Sequence, residues 1–121
     1  MMSESAWRVV NERTGALVGT SVREAAGAWR SFKGLMFIKQ LPDGHGLIFR
    51  PARGIHTHFM RFPIDLVFLD AAGRVTKTRE RMVPWRFDFT TADSVIELNA
   101  GTVRDANVRV GDLLVFETSG G

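Results

Sequence analysis

Apolar residues in the 121-residue chain recur mostly at a spacing of two, the strand period, rather than at the 3.6 of a helix. Residues 7–10 and 17–22 alternate on either side of the turn chemistry at 11–15, which predicts an opening hairpin. Residues 22–30 are the exception. Val22, Ala25, Ala26 and Trp29 share a helical face, and Ser21 with Glu24 has the spacing of a capping box, so one short helix is expected there. Pro42-Asp43-Gly44 marks a turn before a short apolar strand at 46–49. Residues 51–54 read as a loop and 55–60 as a strand. The strongest strand is 64–70. Ile64, Leu66 and Phe68 fall on one face and Val67 and Leu69 on the other, the pattern of a strand buried on both sides. Ala71-Ala72-Gly73 turns the chain into an alternating strand at 74–83. Trp85, Phe87 and Phe89 then repeat at period two. Residues 94–99 put Ile96 and Leu98 inward, 102–106 suit one helical turn capped by Thr102, and 113–117 form a last strand. Eight or nine short strands and one helix imply a mainly β, compact antiparallel sandwich or barrel.

Composition narrows the chemistry. A chain this long holds one domain, with an ordered core expected at about 6–117. Cysteine is absent, which excludes disulfides, thiolate metal sites and cysteine nucleophiles. No apolar run approaches the length of a membrane span. The first ten residues lack the apolar region of a secretory signal, so a cytoplasmic location is expected. The pI of about 10.2 accompanies a net charge of only +3, because Arg dominates the bases and Tyr and Cys are missing.

A series of separated blocks carries a family resemblance. They are Gly34-Leu35-Met36-Phe37, Leu41, Gly46-Leu47-Ile48-Phe49, Ile55-His56-Thr57, Met60-Arg61-Phe62-Pro63-Ile64-Asp65 and 66–70. Gly73, Pro84-Trp85-Arg86, Val95-Ile96-Glu97-Leu98, Ala100-Gly101 and Val110-Gly111-Asp112 complete the series. The chain resembles the domain of unknown function 192 over nearly its whole length. It departs from that pattern at Ile38, where many relatives carry Arg, and at His58 and Phe59. The resemblance implies a compact β-sandwich or barrel, a jelly-roll-like form among the options, and no activity. Relatives are often exported or lipid-anchored.

Five residues form the candidate ligand site: His56, Thr57, Arg61, Asp65 and Glu97. Asp65 shares a face with Val67 and Leu69, so its carboxylate must be paired or hydrogen-bonded, with Arg61 or Arg86 as partner. Glu97 alternates out from Ile96 and Leu98 and could pair with an Arg across the strand. His56 and His58 share a strand face and are a weak metal pair, short of the three ligands a site needs. No cofactor is expected. Arg74, Lys77, Arg79, Arg81 and Arg86 make a basic stripe, readable as a charged edge strand or as a nucleic-acid or anion surface. These features suggest a binding or accessory module for a small polar or anionic ligand. The alternatives are a hydrolase or lyase using Asp65 and His56, and a binder of nucleic acid or an acidic partner through residues 74–86.

Overall fold

A computed structural model describes residues 6–24, 41–50, 52–56, 62–83 and 87–118, with side chains placed for all of these except 53–56, 87 and 89. Nine strands and one short helix occur among them. β1 (Ala6–Asn11) and β2 (Leu17–Glu24) form the expected hairpin. β3 (His45–Phe49), β5 (Ile64–Leu69), β6 (Val75–Met82), β8 (Ser94–Asn99) and β9 (Leu114–Thr118) join them in a seven-stranded sheet, ordered β6-β5-β8-β3-β2-β1-β9. β4 (Ala52–His56) and β7 (Phe87–Ala92) pair separately. The helical turn α1 (Thr102–Asp105) follows β8.

The large sheet curls into a half-barrel. Its two edges, β6 and β9, are far apart in sheet order, yet Arg74 and Leu113 form a bridge, and Val75 N–H donates to the Asp112 carbonyl at 2.8 Å. Curling separates two cores. Val9, Val22, Ile48, Val67, Leu69, Ile96, Leu98 and Leu114 pack on the concave side with Val103 of α1. Ile64, Leu66, Phe68 and Val95 pack on the convex side, where Ala52 of β4 and Ala92 of β7 meet them. All six residues of β5 are buried, as its two apolar faces required.

Two sequence readings need correction. Residues 22–24 belong to β2 rather than to a helix. Val22 pairs with Trp7 on one side and Gly46 on the other and is fully buried, so strand pairing on both sides overrides the capping-box spacing. Residues 25–30 lie outside the described residues. Residues 52–54, read as a loop, are strand, because Ala52 and Arg53 pair with Ala92 and Thr91. The helical turn at 102–105 forms as expected, but Gly101 is its N-cap, with φ 99°, a region that favours glycine. Thr102 instead donates its hydroxyl to the Asn99 carbonyl at 2.7 Å.

Candidate functional site

Asp65 and Glu97 sit on neighbouring central strands and face opposite ways. Asp65 pairs with Leu98, and Leu66 pairs with Glu97. Side chains alternate along each strand. Asp65 therefore points to the concave side with Val67 and Leu98, and Glu97 to the convex side with Leu66 and Val95.

Asp65 is completely buried, and its carboxylate is fully used. Oδ1 accepts from Arg81 N–H at 2.8 Å. Oδ2 accepts from Gly101 N–H at 3.1 Å and Val103 N–H at 2.9 Å. The first bond has a local cause. Between Ile64–Met82 and Leu66–Arg79 the edge strand β6 carries one residue more than β5, which is a β-bulge. Arg81 takes up the bulge with φ 54°, turning its N–H toward Asp65. One carboxylate thus fixes the bulge in the edge strand and the start of α1. Its partners are backbone groups, while Arg61 and Arg86 lie outside the described residues.

Glu97 is the opposite case. It is 3% exposed, its strand neighbours on either side are Leu47 and Leu66, and Oε1 has no hydrogen-bond partner among the described residues. The arginine expected across the strand is not there. Burial alone pushes its carboxyl up from 4.5 to about 8. The group is therefore mostly protonated at pH 7. An unpaired carboxyl among leucines costs the fold stability that an apolar side chain would not.

Of the remaining candidates, His56 ends β4, where its backbone pairs with Phe87, while Thr57, His58 and Arg61 lie outside the described residues. No group of three or more metal-binding side chains occurs among the described residues.

The basic stripe is largely engaged. Lys77 pairs with Phe68, placing it on the convex side, 5.7 Å from the centre of that ring. Its ammonium reaches Asp88 of β7 at 3.1 Å and Thr90 Oγ1 at 2.7 Å. Arg79 donates to the same Asp88 Oδ2 at 2.9 Å. Burial pushes Asp88 up, but the Thr90 hydroxyl and N–H, followed by Lys77, hold it down at about 2. The stripe is thus an ionic staple between the edge of the large sheet and β7. Arg74 donates to the Gly111 carbonyl at 3.1 Å, and Arg86 lies outside the described residues.

A second polar knot, not anticipated from sequence, ties the first hairpin to the loop before β9. Asp112 Oδ1 accepts from Arg13 Nε at 2.7 Å, and Oδ2 accepts from Asn11 Nδ2 and Arg109 N–H, each at 2.9 Å. The Arg13 bond chiefly holds Asp112 at about 2. Asn11 and Arg13 lie about a hundred positions from Asp112 in the chain, so no local pattern announces them.

No helix among the described residues is long and apolar enough to cross a membrane. The chain matches the family model for domain of unknown function 192, described as Uncharacterized ACR, over residues 9–116. It is 32% identical over 117 residues to a UPF0127 protein of Thermococcus kodakarensis, covering 88% of this chain and 71% of that one. A UPF0127 protein of Thermococcus gammatolerans is 33% identical over 122 residues, covering 92% and 76%. Among solved structures, a Sinorhizobium meliloti protein proposed to be a transcription regulator superposes with a TM-score of 0.72 at 27% identity, covering 94% of each chain. A Novosphingobium aromaticivorans protein of unknown function gives 0.69 at 23% identity, over 91% and 83%. The chain belongs to the domain of unknown function 192 family.

Proposed function

We propose that this family member is a non-catalytic binding module for a small polar ligand, with Glu97 as the group that recognises it. The observation that carries this reading is the orphaned Glu97 Oε1, buried between Leu47 and Leu66. A ligand that bonds to it offsets the cost of burying the group. With its midpoint near 8, the protonated carboxyl offers one O–H donor and one carbonyl acceptor at pH 7. A neutral amide or hydroxyl complements both, and an anionic group complements neither once the carboxyl ionises. The ligand class is therefore polar and uncharged rather than anionic.

His56, Thr57 and Arg61 are the proposed further contacts. The support is that β4, which ends at His56, places Ala52 in the same apolar cluster as the Leu66 and Val95 that flank Glu97. Asp65 is left out, because it faces the other side and its oxygens are taken by backbone N–H groups. That also removes the support for a hydrolase or lyase built on Asp65 and His56. The basic stripe lends no support to nucleic-acid binding, since Lys77 and Arg79 are held by Asp88.

The test is a thermal-shift screen of the whole chain against acetamide, propanol, propylamine and propionate, run on wild type and Glu97→Leu, with a native mass spectrum of each. The amide and alcohol should stabilise wild type only, and any retained organic mass should disappear in Glu97→Leu. Equal stabilisation of both proteins, or preference for propionate, would overturn the reading.

A further inference from the structure

Ser94 begins β8 at one end of the half-barrel, on the concave face, in register with Leu69. It is 3% exposed, and its hydroxyl makes no hydrogen bond to any described residue. It lines a cleft of about 380 Å³ with Arg50, Asp70, Asp93, Leu113 and Phe116. The cleft opens where the two edges of the large sheet approach each other, beside the Arg74–Leu113 bridge. The mouth of a β-barrel is a common place for a small-molecule site, and this volume lies in the range of such sites.

The charges around the cleft do not cancel. Arg50 is already engaged, with Nε 3.3 Å from Glu24 Oε1 and its guanidinium 5.7 Å from the centre of the Trp7 ring. Asp70 spends Oδ1 on the N–H groups of Ala72 and Arg74, both at 2.9 Å, and keeps Oδ2. Asp93 makes no ion pair with any described residue. Two carboxylates to one guanidinium leave the lining net negative, Ser94 adds a hydroxyl with no hydrogen bond to any described residue, and Leu113 and Phe116 supply an apolar wall.

We propose that this end of the half-barrel is a ligand site for a small organic cation with a short apolar tail. The ammonium donates to Asp93, to Asp70 Oδ2 and to the Ser94 hydroxyl oxygen, while Arg50 stays on Glu24. The tail lies along Leu113 and Phe116, whose ring face also attracts a cation. The site is on the concave side, so it is independent of the reading of Glu97.

Titration of the whole chain with hexylamine, followed by amide resonances in ¹H–¹⁵N spectra, tests the site. Residues 93–94 and 113–116 should shift together, and Asp93→Asn and Ser94→Ala should each weaken binding at least threefold. Asp93 is exposed and outside any hydrogen bond described, so its variant should stay folded. Hexanoate should leave the same resonances unmoved. Glu97→Gln should leave hexylamine binding unchanged. Absence of shifts in this cluster, equal response to hexanoate, or binding indifferent to both variants would overturn the proposal. Shifts centred on residue 97 would place the amine at the convex site instead and would also overturn it.

Discussion

Two buried carboxyl groups one strand apart have opposite fates. Among the described residues, Asp65 gathers three backbone N–H groups and Glu97 gathers none. Both are at most 3% exposed, so burial alone does not distinguish them. What differs is the backbone nearby. Asp65 faces a bulge and a helix start, places where N–H groups lack ladder or helix partners. Glu97 faces Leu47 and Leu66 on regular strands, whose backbone groups are committed to the sheet. A buried acid beside irregular backbone is a structural part. A buried acid amid regular, apolar strands is the better candidate for a task outside the fold.

The largest effect should come from removing the satisfied acid. Asp65→Ala removes the acceptor of three N–H groups, that of Val103 buried and those of Arg81 and Gly101 part-buried, and chemical denaturation should show a loss of roughly 3–5 kcal/mol. A loss below about 1 kcal/mol would mean that the bulge and α1 do not depend on it.

Removing the unsatisfied acid should act in reverse. Between pH 4.5 and 8 the folded chain holds a proton on Glu97 that the unfolded chain has released. Stability therefore falls as pH rises through that window, by on the order of 4 kcal/mol in all. Glu97→Gln should abolish this slope, and Glu97→Leu should be more stable than wild type at pH 8. Denaturation curves at pH 5 and pH 8 check both.

The acid side has its own limb. Asp88 and Asp112 are held near 2 against an ordinary 3.8, so the stability they contribute is present above about pH 4 and is lost as pH falls toward 2. Together the two limbs place maximum stability near pH 4–5. Lys77→Met should shrink the acid limb, since Lys77 is one of the groups that keeps Asp88 ionised.

The smallest effect concerns the bulge. Arg81 holds a positive φ that glycine adopts freely, so Arg81→Gly should stabilise by about 0.5–1 kcal/mol while leaving its N–H on Asp65. Thermal unfolding detects a change of that size. Destabilisation would show that the Arg81 side chain contributes more than its backbone strain costs.

The strand plan was legible because period two survives in a single sequence. The hairpins at 6–24 and 64–82 and the doubly buried β5 follow from it directly. The burial of Asp65 was legible for the same reason, since it shares a face with Val67 and Leu69. Its partners were not, because a bulge and a glycine cap 16 and 36 positions away leave no periodic trace. Glu97 was read as facing outward. The signal against that reading was Val95 on the same face, with Val95 and Ile96 making β8 apolar on both sides as β5 is. The pairing of the basic stripe was not legible because Asp88, which holds Lys77 and Arg79, lies on another strand. Polar knots between distant segments are decided by the fold, and sequence pattern reports the fold only one element at a time.

Glu97 is buried with no hydrogen-bond partner among the described residues, and everything proposed for it depends on that. The most direct measurement is a ¹³C NMR titration of its side-chain carboxyl, with Glu97→Gln to assign the resonance. A midpoint near 8 is the predicted result. A midpoint at or below the ordinary 4.5 would mean that the carboxylate is paired or solvated, and it would contradict the account.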